Sequence, residues 1–148
     1  MIHSKATTLS ITDKNGDITM TTRLPQITSL LRPHNIEYSR KTIRDTNEII
    51  QDIPENGYLD YEVFQSAEPI DVKLHYHSDL EARMITTGRG IFTIPVGDNT
   101  IMLQVTAGDY IVIPSRMVHS FTAPGNFAAI RFFTNHEGYI AHYVDMVI

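Results

Sequence analysis

The chain has 148 residues, a formal net charge of −5 and no cysteine. This length is typical of one domain, and a hydrophobic content of 42% is ordinary for a globular protein. The lack of cysteine excludes a disulfide framework, a cysteine nucleophile, a thiolate zinc site and an iron–sulfur cluster held by this chain. The acidic balance argues against general nucleic-acid binding, and the absence of 18 consecutive apolar residues argues against a membrane span. Since the start lacks a signal-peptide pattern, a cytoplasmic protein is expected.

The first third of the chain predicts a hairpin, two short helices and a strand. Two alternating runs flank the turn dipeptide Asn15-Gly16, a pattern typical of a hairpin within the first 24 residues. A short helix is expected over 25–31, because its proline suits the first helical turn and a second proline follows its end. A strand over 36–43 and a short helix over 45–50 complete this part.

From Tyr58 onward, short runs rich in Ile, Val, Phe and Tyr alternate with turn signals. Their spacing is close to the 8–12 residue rhythm of an all-β sandwich or barrel. We therefore expect a mainly all-β fold, with a β-barrel over 58–148 and the elements of 1–57 around it. No long linker divides these parts, so residues 1–148 are expected to form a single domain. The turn signals are Gly88-Arg89-Gly90, Gly97-Asp98-Asn99, Ala107-Gly108-Asp109 and Pro124-Gly125-Asn126.

Three histidines and one carboxylate are candidate metal ligands. His75 and His77 lie two residues apart in a strand-like stretch, so both side chains point to the same face. Glu81 falls on that face if the strand continues, and His119 follows 38 residues later on a segment that a barrel can bring alongside. Imidazoles and a carboxylate suit a divalent ion such as iron, nickel, manganese, cobalt or zinc. They would leave room for an anionic bidentate ligand. Taken alone, the paired histidines also fit ordinary surface residues.

The flanking residues extend this pattern to two cupin motifs. The spacing His75-x-His77-x3-Glu81-x6-Gly88 resembles the first motif, and Gly108-x5-Pro114-x4-His119 resembles the second. The resemblance implies a double-stranded β-helix, or jelly-roll barrel. Three turn positions depart from the family pattern, where glycine or asparagine is usual: Pro69, Arg116 and Ala123.

Further motifs resemble the bacterial acireductone dioxygenases of methionine salvage. They comprise Glu-x-Arg after the histidine pair, Ala-Ile-Arg-x-Phe at 129–133 and Asn-x-Glu-Gly-aromatic at 135–139. The resemblance implies a dioxygenase that cleaves a 1,2-dihydroxy-3-keto compound with O2 at Fe(II) or Ni(II). In the family, iron yields formate and a 2-keto acid, whereas nickel leads to carbon monoxide. The helical stretch before the barrel is shorter here, and Met84, Ser120 and Tyr139 replace aromatic residues usual in the family.

Four further residues are candidates for contact with the substrate or with the metal ligands, three of them from strand alternation. Arg83 shares the parity of the ligands and is expected to point inward, toward substrate oxygens or Glu81. Arg131 is expected either to position the substrate or to hold a carboxylate such as Asp109 or Glu137. Phe121 has the parity of His119 and is a candidate cavity wall, with core packing as the alternative. Met84 is a candidate because its position lies near the pocket of the family.

The sequence also allows other functions. The same scaffold could oxygenate a different enediol or diketone, act as a non-oxidative isomerase or lyase, or bind a small ligand without catalysis. The expected partners are a small enediol or diketone substrate and O2, with no nucleic acid and no membrane. Edge strands of cupins often pair, so a homodimer is allowed.

Overall fold

The structure is a computed structural model that describes residues 6–41 and 58–145. Within these ranges the chain is mostly strand. The strands are β1 Thr8–Thr12, β2 Ile18–Thr21, β3 Glu37–Arg40, β4 Asp60–Ser66, β5 Ile70–Tyr76, β6 Glu81–Thr87, β7 Arg89–Val96, β8 Asn99–Thr106, β9 Asp109–Ile113, β10 His119–Ala123, β11 Phe127–Phe133 and β12 His142–Tyr143. The helical elements are α1 Leu24–Leu31 and two 3₁₀ turns, Arg32–His34 and His136–Tyr139.

Two antiparallel sheets face each other and form the barrel. One sheet has the order β12-β5-β10-β7-β8-β1-β2, and the other has the order β3-β9-β6-β11-β4. Aliphatic and aromatic side chains from both sheets and from α1 fill the space between them, including Leu31, Ile94, Leu103 and Ile111, all fully buried. Closing the two sheets around one core in this way confirms the predicted cupin barrel.

The N-terminal elements are part of the barrel sheets. β1 and β2 pair as the predicted hairpin, and β1 also pairs with β8. β3 pairs with β9 at the edge of the other sheet. The predicted helix is present as α1, beginning one residue before the expected position. The helix expected over 45–50 lies outside the described residues. No helix among the described residues is long and apolar enough to cross a bilayer.

A buried carboxylate fastens β3 to β9. Asp109 is fully buried and accepts hydrogen bonds from the Tyr38 hydroxyl at 2.7 Å, the Arg40 Nη1 at 2.8 Å and the Thr106 backbone N–H at 2.8 Å. The Thr7 hydroxyl donates to the same carboxylate. Burial, together with the neighbouring Asp109, raises the pKa of Tyr38 to about 12. This network satisfies polar groups that would otherwise destabilise the core.

Two turn residues have positive φ and hold the motif segments in place. Gly88 has φ +80°, and a Cβ there would lie 2.5 Å from the Asn126 carbonyl oxygen, so the β6–β7 turn requires glycine. Arg116 has φ +68°, the left-handed conformation that glycine adopts without steric cost. Its N–H donates to the His77 carbonyl at 2.8 Å, which ties the segment before β10 to the segment after β5.

Candidate metal centre

Four side chains from three strands and one turn converge inside the barrel. His75 lies near the end of β5, His77 follows that strand, and Glu81 and His119 are the first residues of β6 and β10. One ligand atom from each lies within 4.8 Å of the others, and all four residues are buried. His119 and His75 are register partners, which explains how two distant sequence segments bring their imidazoles together.

Glu81 joins the group by a different route from the one expected. β5 ends at Tyr76, so the strand does not continue from His75 to Glu81. Instead the chain turns and Glu81 opens β6, which belongs to the opposite sheet. The carboxylate still points at the histidines because the inner faces of the two sheets oppose each other.

Backbone carbonyls orient all three imidazoles. The Nδ1–H of His75 donates to the Lys73 carbonyl at 2.7 Å, and the Nδ1–H of His119 donates to the Met117 carbonyl at 2.9 Å. The Nδ1–H of His77 donates to the Ile140 carbonyl at 2.8 Å, 63 residues away in sequence. Since a carbonyl only accepts, each Nδ1 carries a proton and each neutral imidazole keeps the lone pair of Nε2. Metal-binding histidines are usually oriented in this way.

The free nitrogens face the carboxylate. Glu81 Oε1 lies 3.1 Å from the Nε2 of His77 and 3.2 Å from the Nε2 of His119. Lone pairs on these atoms repel one another unless a proton or a cation lies among them. Three imidazole nitrogens and one carboxylate oxygen are the donors that divalent first-row metals prefer, so these residues fit a metal ion.

The electrostatics keep Glu81 ionised. Burial by itself raises the pKa of this carboxyl, but the Arg83 guanidinium and the His119 imidazole outweigh it and hold the pKa well below its usual range. Burial lowers the pKa of His75. For His119 burial also opposes the charged form, yet the adjacent Glu81 carboxylate raises its pKa above the ordinary value. The site therefore combines an anionic carboxylate with imidazoles that have different proton affinities.

A mainly apolar cavity of about 240 Å³ opens beside the four residues. His75, His77 and Glu81 form part of its lining. Its hydrophobic walls are Phe64, Ile70, Val72, Ile85, Phe92, Phe121, Phe127 and Ala129. Phe121 thus lies where the alternation of its strand predicted. A Cβ at Gly90 would lie 2.2 Å from the ring of Phe121, so this glycine leaves space for the wall residue.

Arg83 points inward, as strand alternation predicted. Its Nη2 lies 3.2 Å from Glu81 Oε1, and its side chain is only 12% exposed. Its Nη1 donates to the Ala82 carbonyl at 3.0 Å. The ring of Phe133 lies 5.7 Å from the guanidinium carbon. Arg83 therefore supplies a buried positive charge directly beside the carboxylate of the candidate metal centre.

Arg131 also lines the cavity, but its partner differs from both expected carboxylates. Its Nη1 lies 3.4 Å from Glu62 Oε1 on the neighbouring strand β4. Asp109 instead binds Arg40 at 2.8 Å, toward the β3 edge of the same sheet. Sequence reasoning missed Glu62, although β4 places it on the same face as Phe64, a wall of the cavity. Pairing between strands far apart in sequence brings the two side chains together.

Met84 does not lie at the cavity. It is fully buried in a second hydrophobic cluster with Tyr110, Ile130 and Phe132, on the opposite face of β6 from Arg83. The expectation that placed it near the pocket is wrong, since alternation along the strand turns it away from the barrel interior.

Tyr139 and Asp79 were not among the predicted site residues, although Tyr139 is one of the departures from the family motif. Tyr139 lines the cavity and stacks on Phe133 at 3.7 Å between ring centroids. Asp79 is buried between the two ligand positions 77 and 81, and its carboxylate accepts the Thr134 N–H at 2.9 Å. Both contacts hold the segment after β11 in place. The Ile140 carbonyl of that segment accepts the hydrogen bond from His77. Only the aromatic residue had a sequence signal, the motif over 135–139.

Comparison with known proteins points to one family. A family model described as the ARD/ARD' family matches residues 34–141, well over half of the chain. Acireductone dioxygenase 1 of Pectobacterium atrosepticum is 38% identical over 71 residues, covering 47% of this chain and 41% of that protein. Acireductone dioxygenase of Aquifex aeolicus is 40% identical over 74 residues, covering 49% of this chain and 40% of that protein. The matched region thus spans less than half the length of these curated relatives.

A solved structure shares the fold. The acireductone dioxygenase from Bacillus anthracis with a cadmium ion in its active center superimposes with a TM-score of 0.73. The match covers 93% of this chain and 98% of that chain, at 20% sequence identity. At this identity the likeness supports the barrel architecture.

Proposed function

The chain belongs to the ARD/ARD' family, and from this premise we propose that it is a metal-dependent dioxygenase of the acireductone dioxygenase type. Its substrate would be a 1,2-dihydroxy-3-keto compound, an enediol, cleaved with O2 in a step of methionine salvage. The observation that carries the proposal is the buried group of His75, His77, Glu81 and His119, with ligand atoms within 4.8 Å of one another. The curated relatives with 38% and 40% identity are named acireductone dioxygenases, which supports the same chemistry.

These four residues would hold one divalent ion, with Fe(II) or Ni(II) as the leading candidates and manganese, cobalt or zinc as alternatives. When bound, such an ion would supply Lewis acidity and a template for two substrate oxygens. The backbone acceptors fix the imidazole orientations before the ion arrives, which reduces the reorganisation that binding requires. The Bacillus anthracis acireductone dioxygenase holds a cadmium ion in its active center, which is in keeping with a divalent ion in this family.

The protein's own residues would orient and enclose the substrate. Arg83 lies beside Glu81 and is placed to attract the negative oxygens of an ionised enediol. Phe92, Phe121 and Phe127 form part of the apolar wall, so the substituent on the enediol would pack there and exclude water from the reacting end. Fixing the substrate in one orientation determines which of its carbons meets O2.

We also propose that residues 1–148 act as a single domain. Strands from both sides of residue 57 contribute to each sheet, since β1, β2 and β3 pair within the two sheets that hold the candidate metal centre.

An oxygen electrode tests the reaction. Fe(II)-loaded protein is mixed with a synthetic acireductone, and O2 uptake is compared with the nonenzymatic rate. We expect uptake well above that rate, and its loss in His77→Ala, which removes a ligand. Arg83→Ala should retain the metal, by elemental analysis, while raising KM or lowering kcat. A non-oxidative isomerase, a lyase or a binding protein would consume the substrate without O2 or leave it unchanged. No O2 uptake above the background would refute the proposal.

A further inference from the structure

A row of four charged side chains crosses the inner face of one sheet. It runs from Glu81 and Arg83 on β6, through Arg131 on β11, to Glu62 on β4. Arg131 is the register partner of both Arg83 and Glu62. Oxygen-to-nitrogen distances are 3.2 Å between Glu81 and Arg83 and 3.4 Å between Glu62 and Arg131. The row therefore links the buried carboxylate of the candidate metal centre to the edge strand β4.

The guanidinium of Arg131 lies near two aromatic rings, and only some of its N–H groups have a polar partner among the described residues. Its guanidinium carbon lies 5.2 Å from the ring of Phe133 and 5.9 Å from that of Phe64. Its Nε is buried and has no hydrogen-bond partner within residues 6–41 and 58–145. Arg83, directly opposite, carries a charge of the same sign, and like charges in this arrangement repel. The Arg131 side chain is only 24% exposed, so its guanidinium is stabilised by a neighbouring anion, and Glu62 provides it.

Glu62 differs from Glu81 in its exposure. The Glu62 side chain is 44% exposed, whereas that of Glu81 is 8% exposed. The described lining of the cavity includes Arg131 but not Glu62, so replacing Glu62 removes the partner of Arg131 without removing a buried group. Arg131 would remain in the cavity lining, unneutralised and available to an anion that enters.

The charge balance of the site indicates what the cavity accepts. Among the described residues each of these two arginines is matched by one carboxylate, so a bound divalent ion would set the net charge that the substrate meets. A doubly ionised enediol neutralises that charge. A carboxylate on the substituent would have to leave water, and Arg131, already paired with Glu62, would compensate it little, which costs binding free energy.

We propose that Glu62 is a specificity-determining residue, which occupies Arg131 so that the cavity accepts enediols with an uncharged substituent and rejects those with an anionic one. This inference rests on the proposed function, because it assumes that the metal-binding end of the substrate lies at the four ligands.

Two matched chelators test it. Hexanohydroxamic acid and the monohydroxamic acid of adipic acid have the same metal-binding group and chain length, but only the second ends in a carboxylate. Their affinities for Ni(II)-loaded protein are measured by titration calorimetry at one ionic strength, since screening would alter the comparison. We expect the wild type to bind the neutral probe at least about tenfold more tightly, a difference of about 1.4 kcal/mol. Glu62→Gln should reduce that ratio by about tenfold, mainly by strengthening binding of the acidic probe.

Two controls isolate the role of Glu62. Glu37→Gln makes the same charge change on β3, the opposite edge strand of the same sheet, and should leave the ratio unchanged. In an Arg131→Met background, Glu62→Gln should have no effect on the ratio, because the proposed action passes through the guanidinium. Glu62→Ala should behave like Glu62→Gln, and nickel content and circular dichroism establish that each variant is loaded and folded.

The outcomes separate the two proposals. If the wild type binds hexanohydroxamic acid and the ratio is the same in Glu62→Gln, the role of Glu62 is refuted while the proposed function stands. An equal change in Glu37→Gln would also refute it, since that result would reflect net charge alone. If loaded wild-type protein binds neither probe, the proposed metal-centred function fails and the inference fails with it.

Discussion

Glu81→Gln most directly tests whether the carboxylate of Glu81 both binds the metal ion and neutralises the buried charge of Arg83. The change keeps the size of the side chain but removes its charge. Glu81 contacts Arg83, His77 and His119 at 3.1–3.2 Å and is buried. The variant therefore loses the anionic metal ligand and leaves the Arg83 guanidinium without its carboxylate.

The cost in the metal-free protein follows from the burial of Arg83. Removing one partner of a buried ion pair typically costs about 3–5 kcal/mol, because the other charge remains desolvated. The Arg83 side chain is 12% exposed and keeps its hydrogen bond to the Ala82 carbonyl, so we expect the lower end, about 3 kcal/mol. For a chain of this length, that corresponds to a fall in Tm of about 6–12 °C.

Urea denaturation in the presence of a chelator measures the free energy of unfolding, and elemental analysis after dialysis measures retained metal. Glu81→Gln should lose both stability and metal. Glu81→Gln with Arg83→Met should recover much of the stability without recovering metal, because no unpaired charge remains. If Glu81→Gln unfolds at the urea concentration of the wild type, the Arg83–Glu81 pair is not the buried ion pair described here. If the variant keeps its metal, Glu81 is not a ligand.

Two further predictions concern the framework of the barrel. Because the pKa of Tyr38 is raised from 10.0 to about 12, the unfolded chain loses this proton first, and stability should fall by about 2 kcal/mol as the pH rises from 10 to 12. Tyr38→Phe should remove that part of the alkaline loss in denaturant titrations, and an unchanged pH profile would contradict the Asp109 network. Arg116→Gly should raise the free energy of unfolding by about 1 kcal/mol, since glycine adopts the left-handed conformation of this turn without a Cβ clash. A loss of stability in that variant would show that the arginine side chain contributes more than its backbone strain costs.

The sequence by itself identified the candidate metal ligands, because the spacing of residues within each short motif was sufficient. The spacing around His75 and His77, the glycines of the turns and the resemblance of both motifs were enough to select the four residues that meet in the barrel. Alternation also placed Arg83 and Phe121 inward. Along a single strand, the side-chain period of two fixes which residues share a face.

Only the tertiary structure decided how separate strands are matched. The pairing of Arg131 with Glu62, the start of a new strand at Glu81 and the Ile140 carbonyl that orients His77 each depend on contacts between segments distant in sequence. Alternation along β6 by itself places Met84 on the face opposite Arg83, and the structure follows that rule and not the resemblance to the family pocket. Registers between strands are set by closure of the two sheets around their common core, which no local sequence pattern specifies.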